Sequence, residues 1–207
     1  MDATTPAALV PNHHADHRGF AGVGGFVTGL TMLIGRGAVA RMAADAADVH
    51  AGDHVVDIGC GPGTAAREAS RRGADVTGVD PAPVMLRLAR MLARGATSIR
   101  WTEGAAEHLP VTDGSVSVVW SIATVHHWRD LTAGLAEARR VLKPGGRFLA
   151  VERRTRPEAR GLASHGWTDT QATAFADRCR SAGFADVAVE TSPPGRRGQF
   201  VVRARAL

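Results

Sequence analysis

The chain has 207 residues, 44% hydrophobic and 22% charged, enough for one well-buried core but hardly for two. Collagen, coiled-coil and disordered classes are excluded by that composition. The formal net charge is +5 and the excess is local: residues 139–207 carry 14 Arg/Lys against 6 Asp/Glu, whereas residues 1–138 carry 11 against 14. Every basic residue except Lys143 is arginine, a bias that often follows codon usage, so the charge is weak support for a nucleic-acid partner.

Cys60 and Cys179 are the only cysteines, which makes no disulfide framework and no metal-ligand cluster and suits a reducing cytosol. Residues 20–34 imitate a membrane segment, but 15 residues fall short of the roughly 20 a span needs, and four are glycine. The residues before it, among them Asn12, His13, His14, His17 and Arg18, do not build a cleaved signal. The expectation is a cytoplasmic protein without a membrane span. His13, His14 and His17 read as a solvent-exposed polar arm that no Cys, Asp or Glu set completes, so no metal site is expected.

From residue 54 on, short apolar runs alternate with helical patterns, as βαβ units around a parallel sheet require. HVVDI at 54–58 is a continuous β-branched run suited to a strand covered on both faces. A small-residue helix follows with Ala65, Ala66 and Ala69, closed by Gly73, and residues 75–79 form a second strand. The next helix places Val84, Leu88, Met91 and Leu92 on one face and ends at Gly95. A third strand is expected at 98–102, and VSVVWSI at 116–122 is the most apolar strand and reads as central. Trp101 and Trp120 alternate with apolar neighbours and are expected in the core. A helix over 131–142 stops at Lys143-Pro144-Gly145-Gly146 and feeds a strand at 147–152. Thr168 and Gln171 form a capping-box pattern before a helix that buries Ala172, Phe175, Ala176 and Cys179. Two last strands, 184–190 and 199–204, joined by a Pro193-Pro194-Gly195 turn, predict an antiparallel hairpin at one edge. The fold class is α/β, doubly wound.

The informative stretch is VVDIGCGPGT at 55–64. Open parallel sheets bind ligands beyond the carboxyl ends of their strands, and a glycine turn there lets a ligand lie against bare backbone. Gly59, Gly61 and Gly63 alternate after Asp57, and the next strand ends in Asp80, 21 residues past Gly59, placed to accept from both ribose hydroxyls. An adenosine-containing ligand is expected. A dinucleotide loop would continue G-x-G-x-x-G, but Thr64 stands at the last position, and a phosphate loop is absent. An acidic Asp57 suits a ligand bearing an ammonium and a sulfonium better than a pyrophosphate, which favours S-adenosylmethionine over NAD.

D-I-G-C-G-P-G followed by V-T-G-V-D-P resembles motifs I and II of class I S-adenosylmethionine-dependent methyltransferases. Residues 103–110, 115–128 and 139–148 continue the likeness, toward the subgroup of small-molecule and quinone-ring methylases, over roughly residues 50–152. The resemblance implies a Rossmann-like seven-stranded sheet with its last strand antiparallel, and S-adenosyl-L-methionine as cofactor. By position it implies Asp57, Gly59, Cys60, Gly61 and Gly63 around the methionine moiety and Asp80 on the ribose. Pro81 and Met85 would flank the adenine, Ala106 and Glu107 its edge, and Ser121 would lie beneath the methionine portion. Where the family usually has an Asp for the adenine amino group this chain has Ala105, leaving that contact to Glu107 or a backbone carbonyl.

His126 and His127 follow the central strand at its ligand end and are the candidate catalytic bases, packing being the alternative for either. Cys60, between glycines, reads as a small filler. Residues 1–50 form an N-terminal helical segment ahead of a methyltransferase domain over 51–207. Its apolar positions Val27, Leu30, Leu33, Ile34, Val39 and Met42 make either a lid over the cofactor or an ordinary packing helix. The expected acceptor is a small or lipid-like molecule, met by residues 14–34, the 126–128 loop and residues 153–167. Two other readings stay open: an RNA or protein methylase using Arg153, Arg154, Arg156, Arg160, Arg196 and Arg197, and a non-catalytic binder. Against the first, SIAT at 121–124 lacks the N/D-P-P-aromatic grip of base-amine methylases, so nucleic acid is not the expected partner.

Overall fold

The computed structural model describes residues 10–15, 36–192 and 198–207. Strands β1 (His54–Ile58), β2 (Asp75–Asp80), β3 (Ile99–Glu103), β4 (Val116–Ile122), β5 (Leu142–Arg153), β6 (Phe184–Thr191) and β7 (Gln199–Ala206) form one sheet. Their order is β3-β2-β1-β4-β5-β7-β6. The first five pair in parallel, and β7 runs antiparallel between β5 and β6. This is the doubly wound, Rossmann-like sheet with an antiparallel last strand, and the expected hairpin sits at its edge. The turn at 193–195 lies outside the described residues, as does the apolar stretch 20–34.

Successive residues of the central strands point to opposite faces, and each face is apolar because each is covered. Val55, Val118, Trp120, Leu149 and Val151 pack under α1 (Arg36–Ala46) and α2 (Thr64–Arg71). Val56, Val119, Phe148 and Ala150 pack under α4 (Leu131–Val141) and α5 (Asp169–Ser181). The fifth helix of the sheet layers, α3 (Pro83–Leu92), lies against β2 and β3. On the first face Ala40, Ala43 and Ala44 share a core with Ala65, Ala66 and Ala69. Side chains this small let α1 and α2 approach closely, and Val39 and Met42 pack into that layer.

Three local expectations are corrected. Met91 is 44% exposed, because α3 turns Val84, Met85, Leu88 and Ala89 inward instead. Extended backbone begins at Leu142, paired with Val116, and Lys143–Gly146 sit in an irregularity of the β4–β5 register rather than in a free turn. Trp101 is half-buried, its indole filling the space above Gly63 and Gly78, whereas Trp120 is fully buried.

Two of the helix starts are capped by side chains. Asp130 caps α4, its carboxylate accepting from Thr132 and Ala133 N–H at 2.9 and 3.0 Å. Thr168 and Gln171 close the capping box of α5. Replacing a carboxylate cap by alanine leaves those donors to water, so Asp130→Ala should destabilise the fold by about 1 kcal/mol in chemical denaturation.

Candidate active site

Strand order reverses between β1, which continues to β2 on one side, and β4 on the other. A crevice at the carboxyl ends of these two strands is the expected ligand position. Ile58 is in register with Ser121, so the glycine loop after β1 and the loop after β4 leave the sheet side by side. Gly59 and Cys60 N–H both donate to the Val79 carbonyl, at 2.8 and 3.0 Å, tying the loop to β2. Gly59 has φ +69°, and a Cβ there would stand 2.7 Å from the Thr124 side chain. Gly61 has φ +52° and open space in front of it, so the second position is an uncovered patch of backbone.

Two carboxylates flank this patch. Asp80 is 7% exposed and accepts from Gly61 N–H at 2.8 Å and Ala82 N–H at 2.9 Å. Burial raises its pKa, against those two bonds. Its oxygens keep lone pairs for further donors such as ribose hydroxyls. Asp57 is 2% exposed, and its Oδ2 has no hydrogen-bond partner among the described residues. Burial, with the Asp80 charge adding to it, pushes its pKa up to about 7. The half-buried Arg36 guanidinium acts on it from the start of α1 and also faces Glu152. A buried carboxylate oxygen without a donor, next to bare backbone, fits the ammonium of an amino-acid-bearing nucleoside.

The remaining predicted residues distribute as follows. Met85 is buried with Ala82 and Val84, Ala106 is buried, and Pro81 is exposed at the rim. Ser121 Oγ is 2.6 Å from Thr124 Oγ1, which donates to the Ile58 carbonyl and so knits the two loops together. Burial raises the Cys60 thiol far above its usual range, with the Asp57 and Asp80 charges adding to it, which leaves it a filler. Glu107 Oε1 accepts from Arg129 and Asp130 N–H at 2.6 and 3.1 Å, so its carboxylate holds the entry to α4. Arg153 donates to the His165 and Ala163 carbonyls, and Arg154 pairs with Asp169 at 2.9 Å, so neither stands ready on a phosphate-binding face.

Both candidate bases lie beside the crevice. His126 is 2% exposed, with Nδ1 at 2.9 and 3.0 Å from the two Glu152 oxygens. His127 is half-buried, and burial, with His126 next, lowers its pKa to about 4, so it is neutral at physiological pH. His13 and His14 are not in an exposed arm. Residues 10–15 form a turn that straps this loop to the 161–171 region: Asn12 Nδ2 donates to the Trp128 carbonyl at 2.9 Å, His14 N–H to His126 at 2.9 Å, and the Trp167 indole to Pro11 at 2.8 Å. His17 lies outside the described residues.

Sequence reasoning passed over Arg36, Thr124, Glu152 and His165. Glu152 carried a usable signal, since it ends a buried strand as Asp57 and Asp80 do. The other three carry none, because only the packing of distant segments brings them here.

Residues 56–150 match the profile of a family described as "Methyltransferase domain". A demethylmenaquinone methyltransferase of Tropheryma whipplei (strain Twist) is 37% identical over 114 residues, 54% of this chain and 46% of that protein. The chain therefore spans about half the length of such curated relatives. A crystal structure of a SAM-dependent methyltransferase from Aquifex aeolicus superposes with a TM-score of 0.75 at 16% identity, covering 88% of this chain and 98% of that one. Geranyl diphosphate C-methyltransferase from Streptomyces coelicolor A3(2), solved with S-adenosyl-L-homocysteine, gives 0.67 at 17% identity, covering 82% and 76%. Residues 56–150 are thus similar to a methyltransferase domain, inside the stretch on which the motif resemblance rests.

The raised pKa of Asp57 has a stability consequence. Its folded-state pKa, about 7, exceeds the ordinary 3.8, so the folded chain holds a proton that the unfolded chain releases. That contribution is complete at low pH and is lost as pH rises through 7. In the cofactor-free protein, the stability gained by Asp57→Asn over wild type should therefore grow between pH 5 and pH 8 in denaturation series; a pH-independent difference would contradict the burial argument.

Proposed function

We propose that this protein transfers a methyl group from S-adenosylmethionine to a small or lipid-like acceptor by in-line displacement. The observation that carries the reading is the unpartnered Asp57 oxygen beside the open Gly61 backbone, inside a methyltransferase domain. When bound, the cofactor supplies an electrophilic methyl on a positively charged sulfur. Asp57 would take the ammonium, and Arg36 with the first amides of α2 would face the carboxylate. Asp80 would bind the ribose, and Gly59, Cys60 and Gly63 would shape the loop around the methionine portion. Pro81, Met85 and the backbone at Ala105 and Ala106 would hold the adenine, since the Glu107 carboxylate is engaged elsewhere. Ser121 would support the floor through Thr124.

Alignment is the main contribution required of the protein, worth roughly 7–11 kcal/mol by effective molarity. Where the acceptor loses a proton, His126 or His127 is the base within the crevice. Relatives named for demethylmenaquinone and geranyl diphosphate support a small-molecule acceptor. A cleft of about 440 Å³ lined by Arg153, Thr155, Arg156, Ala159 and Ala163 offers it a place beside the His165 backbone. Among the described residues no helix is long and apolar enough to cross a membrane, and both cysteines are buried free thiols, in keeping with a cytoplasmic reaction.

Ala15, next to the His14–His126 contact, and Arg36, facing Asp57 and Glu152, both lie at the ligand end of the sheet. Residues 16–35, on which most of the lid expectation falls, lie outside the described residues. Deleting residues 1–35 should weaken S-adenosylhomocysteine binding in calorimetry; unchanged affinity in a folded truncation would end that idea. In thermal or chemical denaturation, S-adenosylhomocysteine at 100 times its dissociation constant should add about 2.7 kcal/mol, and NAD at the same concentration nothing. Asp80→Ala should abolish most of that gain. An undiminished gain in the variant would refute the ribose assignment, and stabilisation by NAD alone would refute the cofactor.

A further inference from the structure

Three imidazoles from two distant segments meet next to Glu152. One ring nitrogen of each of His126, His127 and His165 lies within 4.8 Å of one from both others. His126 directs Nδ1 at the Glu152 carboxylate, which fixes the tautomer with the lone pair on Nε2. That Nε2 belongs to a side chain 2% exposed and has no hydrogen-bond partner among the described residues. His127 Nδ1 lies 3.5 Å from the His14 carbonyl. A buried ring nitrogen without a partner is costly, and at His126 it stands where three imidazoles meet, a ligand set that a borderline divalent cation favours.

We propose that His126, His127 and His165 bind a first-row divalent transition-metal ion of the zinc class, with Glu152 as the carboxylate that orients His126. Metal-bound histidines commonly give their other ring nitrogen to a carboxylate in this way. Zinc–nitrogen bonds of about 2.0–2.1 Å put tetrahedral ligand atoms about 3.3 Å apart, a gap that small rotations of the half-buried His127 and His165 rings close. His14 stacks on His165 at 4.4 Å, and its Nε2 lies 3.1 Å from Ser164 Oγ, so it braces the site. Three protein ligands leave the fourth position open, which is the pattern of catalytic zinc rather than structural zinc. That an oxygen, nitrogen or sulfur of the acceptor would occupy it rests on the methyl-transfer reading. A nitrogen holding a cation takes no proton, so the metal site excludes His126 and His127 as bases.

The test uses the tag-free full chain, stripped with chelator and titrated with Co²⁺ without cofactor. We expect one equivalent bound with the intense visible bands of four-coordinate cobalt, displaced by Zn²⁺. His165→Asn, at a half-buried position, should weaken binding by at least about 100-fold, and Glu152→Gln by about 10–100-fold. Only weak six-coordinate bands in wild type would overturn the site, whether or not the Glu152 variant folds. So would full binding in folded His165→Asn. Calorimetry with S-adenosylhomocysteine on the same samples separates the two readings, because cofactor binding persists if only the metal site is wrong.

Discussion

A carboxylate at the end of a strand covered on both faces must find a positive partner or a proton, and that constraint organises this molecule. It arises at three strand ends, Asp57 on β1, Asp80 on β2 and Glu152 on β5, all buried. Asp80 is satisfied by two backbone amides and Glu152 by an imidazole. One Asp57 oxygen has no hydrogen-bond partner among the described residues, and against burial the Trp120 indole, the Ala66 amide and the Arg36 charge favour its ionised form. Burial pushes its pKa up to about 7, and a cationic ligand would favour the ionised form. Charge selectivity follows: the crevice is hostile to a pyrophosphate and receptive to a sulfonium amino acid.

Topology turns this chemistry into a site. The reversal of strand order at β1 and β4 leaves a gap between their carboxyl-end loops, and the Ile58–Ser121 register sets those loops side by side. Thr124 fits against Gly59 because that residue has no Cβ, and its hydroxyl bridges Ser121 to the Ile58 carbonyl. The 10–15 turn then ties the second loop to the segment after β5, which brings His14 and His165 to the flank of the crevice. One side of the cleft thus carries carboxylates and the other imidazoles, a division suited to a charged cofactor facing an acceptor.

Most strands and helices were legible because period-two and helical apolar patterns report local burial. The capping box at Thr168 and Gln171 and the alanines of α2 sit where the patterns place them. Met91 misled because its helical spacing matches Val84 and Leu88, yet α3 lies against β2 and β3 at the sheet's margin and turns Val84, Met85, Leu88 and Ala89 inward, leaving Met91 exposed. The Lys143–Gly146 run looked like a turn because proline and glycine punctuate it, whereas pairing with β4 draws Leu142 into the strand. In the site, the glycine loop and both aspartates were readable for a shared reason: backbone shape and strand-end position leave a compact trace within 25 residues.

The sequence by itself determined the doubly wound order, the glycine turn with its two acids, and hence the class of cofactor. Each of those rests on residues close in the chain whose spacing is dictated by strand and turn geometry. Only the tertiary structure decided that Asp57 Oδ2 lacks a hydrogen-bond partner among the described residues, that Glu107 serves the entry to α4, and that Arg36, Glu152 and five histidines converge on the crevice. Such convergence depends on how helices and loops from opposite ends of the chain pack against one sheet, and single side chains meeting across more than a hundred residues leave no periodicity behind.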